Sequence, residues 1–120
     1  MLKSQYKLWD KLKNKYPGYF LEWEYSPDWL EKQRLDIADS KLCIGIEFDG
    51  IQHFEPVECF GGEEKFKWQQ EQDLKKEECC INNSWTLLRL KYNYKKSDFD
   101  NICLIIDKII KKVEEVENGK

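Results

Sequence analysis

Hydrolytic chemistry on a charged substrate needs acids that converge, and the segment from Arg34 to Phe54 supplies Asp36, Glu47, Asp49 and His53 within a short run. Leu42, Ile44, Ile46 and Phe48 alternate with Cys43, Gly45, Glu47 and Asp49. A strand there puts the apolar set on one face and both acids on the other. Upstream, Leu35 and Ile37 point one way and Arg34, Asp36 and Ala38 the other, which reads as a second strand joined by a hairpin. Its register decides the chemistry. A two-residue turn at Asp39 and Ser40 sets Asp36 opposite Cys43, whereas a four-residue loop, Ser40 to Cys43, sets it across from Glu47; the second is preferred. Opposed Cβ atoms lie roughly 4.5–5.5 Å apart, where like charges destabilise a sheet unless a cation lies between them. Magnesium suits that role, because it is commonly held by one or two carboxylates and keeps its waters. Spacing alone equally suits a half-exposed hairpin whose acids face water.

The remaining elements must position this pair. Leu2 to Tyr16 carries Tyr6, Leu8, Trp9 and Leu12 at helical spacing, with Lys3, Lys7 and Lys11 as a separate solvated stripe, and stops at Pro17 and Gly18. Tyr19 to Tyr25 reads as an aromatic strand with Leu21, Trp23 and Tyr25 on one side, and Glu22 and Glu24 as surface acids. Pro27 and Asp28 end it. A loop from Glu55 to Gly62 borders the site. Glu63 to Asn82 reads as a helix with Phe66, Gln70, Asp73, Leu74, Glu77 and Ile81 at three- and four-residue steps, which brings Asp73 to the sheet. Trp85 to Tyr92 reads as a strand with Leu88 and Leu90 inward and Arg89 opposite, placed for a phosphate. Ser97 and Asp100 form a capping-box pattern before a helix with Ile102, Ile106, Ile109, Val113 and Val116 as its stripe. The expectation is one domain over 1–116 and a frayed tail over 117–120.

At 120 residues the chain supports one core. Five cysteines form no C-x-x-C pair, which argues against structural zinc and against a disulfide framework. No stretch matches a membrane span or a secretory signal, so an intracellular location, cytoplasmic or wherever DNA is held, is expected. Net charge is −3, which predicts weak unaided affinity for nucleic acid. Lysines nevertheless concentrate before Tyr16 and between Lys91 and Lys96, away from the central acids. A site that holds a metal against a polyanion needs acids at the metal and bases around it.

The run Asp36, then Glu47-Phe48-Asp49-Gly50-Ile51-Gln52-His53, resembles the PD-(D/E)XK nuclease superfamily, and within it the very short patch repair endonucleases and the EDxHD homing endonucleases. Gln72-Asp73-Leu74-Lys75-Lys76 and Trp85-Thr86-Leu87-Leu88-Arg89-Leu90 resemble that group's following helix and last core strand, so the likeness covers about Leu2 to Tyr92. It implies an α/β restriction-endonuclease-like fold, a central mixed sheet flanked by helices in the order αβββαβα. It implies a Mg²⁺-dependent endodeoxyribonuclease, with Mn²⁺ as a substitute, in which Asp36 and Glu47 hold the metal. Asp49 stands where the superfamily usually has a lysine, and Ser4 and Gln5 stand where its first helix usually offers a glutamate. His53 is then the natural proton carrier. Asp73 would hold the histidine or a water, and Lys76 would stabilise the phosphate. Arg34, Gln52, Arg89, Lys91 and Lys95 are candidates for contacting DNA, with a separate targeting domain or protein as a further partner. Two other readings compete: a decayed module of the same fold that binds nucleic acid or a protein, and a ribonuclease.

Overall fold

The computed structural model describes residues 3–119. Helix α1 (Lys3–Lys15) is followed by strands β1 (Glu22–Tyr25), β2 (Leu35–Asp39) and β3 (Ile44–Asp49). Helix α2 (Gly62–Asn82), strand β4 (Thr86–Lys91) and helix α3 (Lys96–Asn118) complete the chain. The strands form one mixed sheet in the order β1-β2-β3-β4, antiparallel except for the parallel β3–β4 pair. A parallel pair needs a long crossover, and α2 supplies it.

Alternation along β3 separates the two faces. Ile44 and Ile46, both wholly buried, join Ile37, Leu88 and Leu90 beneath Leu8 and Leu12 of α1 and Phe99, Ile102 and Ile106 of α3. Full burial of such a side chain contributes about 1.5–3 kcal/mol, so this layer holds the domain. The opposite face is thinner: Leu30, Leu35, Ala38 and Cys80 form its apolar cluster. Gly45 sits there, and a Cβ on it would stand 2.8 Å from Leu35 Cδ1. Leu35 therefore parts company with Ile37, which the alternation puts on its own face. Its partner strand is irregular at that point, with φ +47 at Glu24 beside the Tyr25–Leu35 pair.

The same irregularity explains why β1 is shorter than the sequence suggests. Phe20 is wholly buried with φ +55, while Leu21 and Trp23 are exposed, so the predicted apolar side of Leu21, Trp23 and Tyr25 does not form. The chain enters the sheet through Asp39 instead. Its Oδ2 accepts the Phe20 N–H at 3.0 Å and its Oδ1 accepts the Leu42 N–H at 2.9 Å, which fixes the hairpin loop. Glu22 caps the same loop by accepting the Ser40 N–H at 2.9 Å.

Two helices also differ from expectation. On α2, Leu74 and Ile81 are exposed, and the face toward the sheet carries Asp73, Lys76, Glu77 and Cys80. It is polar because it meets the acid-bearing side of β3. Helix α3 begins two residues after Tyr94, and Asp98 accepts the Lys95 N–H at 2.9 Å, whereas Asp100 pairs with Lys96 at 2.7 Å. Ser97 is thus already helical. At the other end the helix runs through Asn118, and Lys41 reaches Glu117 at 3.2 Å. No helix among the described residues is long and apolar enough to cross a membrane.

Candidate active site

The pairing of β2 with β3 sets Ile37 against Ile46, Ala38 against Gly45 and Asp39 against Ile44, leaving Ser40 to Cys43 as the loop. Continued by one residue, that register places Asp36 across from Glu47. The ladder stops there, and Asp36 Oδ2 accepts the freed Phe48 N–H at 2.8 Å. Glu47 is 5 % exposed. Lys76, one turn beyond Asp73 on α2, donates from Nζ to Glu47 Oε1 at 2.8 Å and to the Arg34 carbonyl at 2.6 Å. Burial and the neighbouring Asp36 push the Glu47 carboxyl up to about 8, with Lys76 pulling the other way without cancelling them. One lysine thus answers Glu47, whose carboxyl also meets Asp36.

Two residues further along β3 a second constellation forms. Asp49, 3 % exposed, accepts from Arg89 Nη1 with both oxygens, at 2.9 and 3.2 Å. Arg89 also donates from Nε to Glu77 at 3.2 Å. The parallel pairing of β3 with β4 makes this possible, because it sets Glu47 beside Arg89 and Asp49 beside Lys91. Burial raises the Asp49 carboxyl against the pull of Arg89 and His53. Burial would lower the Arg89 guanidinium, but Asp49 and Asp73 outweigh it and hold its proton more tightly than usual.

His53 links the two. Gly50 ends β3, and the 3-10 turn Ile51–His53 returns the imidazole toward α2. His53 Nδ1 lies 2.9 Å from Asp73 Oδ2 and 3.7 Å from Asp49 Oδ1. Gln69 donates from Nε2 to Asp73 Oδ1 at 3.0 Å, so both oxygens of Asp73 are occupied. With an ionised Asp73 accepting from Nδ1–H, Nε2 is the nitrogen left to take or give a proton. Asp36, Glu47, Gln52, His53, Gln69 and Lys76 line one cavity of about 510 Å³.

Of the residues singled out by sequence, Asp36, Glu47, His53 and Lys76 meet at this cavity, and Asp73 supports it from behind. Asp49 turns to Arg89, and Arg89 is engaged by Asp49 and Glu77. The other basic candidates are dispersed. Arg34 faces Glu24 at 3.6 Å, Lys91 lies 4.8 Å from the centre of the Phe54 ring, and Lys95 stands just ahead of α3. Sequence reasoning missed Gln69, and it gave no role to Asp39 or to Glu77, which it had placed on the sheet-facing stripe. Gln69, Asp73, Lys76 and Glu77 follow one another at helical spacing, so Gln69 and Glu77 had a visible signal. Asp39 stands three residues before Leu42, the offset at which an aspartate caps a turn.

No three His, Cys, Asp or Glu side chains among the described residues are arranged as a metal cluster. The acids nearest a metal role are thus a pair. Cys80, beneath them, is no nucleophile: burial, with Glu47 adding to it, pushes its thiol up to about 11.

No family model matches the chain, and no solved structure matches it. A curated relative, the uncharacterized protein 307L of Invertebrate iridescent virus 6, is 34 % identical over 62 residues. The match covers 51 % of this chain and 32 % of the viral protein, so the chain spans about a third of its relative's length.

Proposed function

We propose that the chain is a Mg²⁺-dependent endonuclease of the restriction-endonuclease-like fold that hydrolyses DNA phosphodiester bonds. The observation that carries this reading is the placement of Asp36, Glu47, Lys76 and His53 around one open cavity. The donor set fits magnesium. Two hard carboxylates converge, and Glu47 is held up at about 8 by burial and by Asp36, an unfavourable meeting of charge that a divalent cation relieves. Asp36 and Glu47 would hold the ion, and the bound ion would neutralise phosphate charge and make water a stronger acid.

The chain's own groups supply the rest. His53 Nε2 takes a proton from the attacking water or returns one to the leaving oxygen, and Asp73 fixes the imidazole for that exchange. Lys76 is the cation nearest Glu47 and serves the phosphate from the α2 side. DNA is the expected partner. The negative net charge and the scattered basic residues favour a separate targeting domain or protein to raise the affinity.

One observation favours a rival, a nucleic-acid-binding module without cleavage: Lys76 already gives Glu47 a cation at 2.8 Å. Supercoiled plasmid incubated with Mg²⁺, Mn²⁺ or EDTA separates the two. Nicking or linearisation in either metal, lost in EDTA and lost in Asp36→Ala, is the expected result. Binding without cleavage in both metals would establish the rival, and faster cleavage of RNA than of DNA would reassign the substrate.

A further inference from the structure

A second, smaller cavity of about 170 Å³ adjoins the first. Gln52, Phe60 and Gln69 line both, and Val57 and Phe66 complete its apolar wall. Its chemistry is specific. Two phenyl rings offer flat apolar surface, and two primary amides offer donors and acceptors at the edge. Gln69 gives one Nε2–H to Asp73, so its carbonyl oxygen and its second Nε2–H are what it can present. Gln52 has no hydrogen-bond partner among the described residues, and Gly50 makes room for it: a Cβ on Gly50 would lie 2.5 Å from Gln52 Oε1. Gly50 has φ −74, an ordinary value, so clearance and not backbone freedom is what the glycine supplies.

Flat apolar walls with an amide edge are what a planar heterocycle with ring-edge donors and acceptors requires. We infer that this side cavity takes one nucleobase, turned out of its stack, from the strand whose phosphate lies at Asp36, Glu47 and His53. The inference rests on the nuclease reading for the neighbouring phosphate and adds the substrate class: a strand with an unpaired nucleotide beside the cleaved bond, not an uninterrupted duplex. The pocket is also wired to the catalytic histidine. A base that engages Gln69 acts on the amide that holds Asp73, and Asp73 holds His53. Stacking supplies affinity that charge here does not, since the chain is net negative.

The test measures binding in EDTA, where no cleavage confounds it, with one oligonucleotide carrying 2-aminopurine presented as a single strand and within a continuous duplex. The expected result is at least ~10-fold tighter binding of the single strand, with a change in 2-aminopurine fluorescence on binding. Phe60→Ala, at a half-exposed ring, and Gly50→Ala, which displaces the Gln52 amide, should each weaken single-strand binding by roughly 5- to 100-fold, the range of a lost base stack. Thermal melting of both variants should match the parent. Equal affinity for the two substrates, or variants that bind as the parent does, would overturn the pocket. Adding Mg²⁺ to the same samples reads the nuclease separately. Strand preference without cleavage keeps the pocket and removes the nuclease; cleavage without preference does the reverse.

Discussion

Two acid-bearing cells lie side by side on the same face of β3, and they are built on opposite electrostatic terms. Around Asp49, one carboxylate meets a guanidinium in a two-point contact, and Glu77, Asp73 and His53 close the circuit. Around Glu47, two carboxylates meet, a single lysine answers Glu47, and the group opens onto a cavity. The first is satisfied within the protein. The second is short of a cation: burial and the neighbouring Asp36 hold the Glu47 carboxyl protonated up to about pH 8. A sheet face can therefore hold a rigid ionic scaffold next to a site that still seeks a cation, and what separates them is that Arg89, the register partner of Glu47, reaches diagonally to Asp49.

The largest effect should come from the satisfied cell. Arg89→Ala leaves Asp49 buried without its counter-ion and should cost about 3–5 kcal/mol in urea denaturation. Adding Asn at position 49 should recover part of that loss, and the two losses should not add. Lys76→Ala should cost clearly less, because Glu47 already favours its neutral form and can keep a proton when the lysine is gone. A Lys76→Ala penalty equal to that of Arg89→Ala would erase the distinction between the cells.

A smaller effect, confined to one pH window, comes from the open cell. Glu47 ionises near 4.5 in the unfolded chain and at about 8 in the folded one, so between those values the native state binds more protons. Stability therefore falls as pH rises through that window, by up to a few kcal/mol in total. Glu47→Gln removes this slope whatever it does to stability at a single pH. Urea titrations from pH 4 to 9 without divalent metal should give a flatter profile for the variant; parallel profiles would show that Glu47 is not the group responsible. Mg²⁺ should restore stability to the parent most strongly near the top of the window, where the metal no longer competes with a proton.

The sequence carried the hairpin and the acid pair because their physics is local. A four-residue loop and strict alternation from Leu42 to Phe48 leave few registers, and the preferred one is the register found. The first strand was not legible, because left-handed backbone at Phe20 and Glu24 breaks its alternation, and the Phe20 amide is held by Asp39, nineteen residues away. The inward face of α2 was misread for a related reason. Leu74 and Ile81 look like a core stripe only if the sheet they meet is apolar, and the sheet there presents Glu47 and Asp49. Arg89 was placed correctly on the acid-bearing face, yet its partner depends on the parallel register of β3 and β4, which no single segment encodes.

The finest distinction between the cells lies at Asp73, which belongs to both: it faces Arg89 at 3.9 Å and accepts from His53 at 2.9 Å. Asp73→Asn keeps the size of the side chain and removes the charge. The new amide can face His53 with either its oxygen or its nitrogen, and Gln69 already brings an amide nitrogen to the other terminal atom. If the carboxamide oxygen turns to Gln69, its nitrogen donates to His53 Nδ1 and drives the ring proton to Nε2, the wrong tautomer for accepting one from water. As a positioning residue, Asp73 should then cost roughly 10–100-fold in kcat with little change in KM, the range seen when an orienting partner is lost. His53 is the sole histidine, so its ¹⁵N resonances report the tautomer without assignment by mutation. The parent should carry its proton on Nδ1 and the variant should shift toward Nε2. An unchanged tautomer accompanied by the same loss of rate would assign Asp73 to the scaffold cell alone.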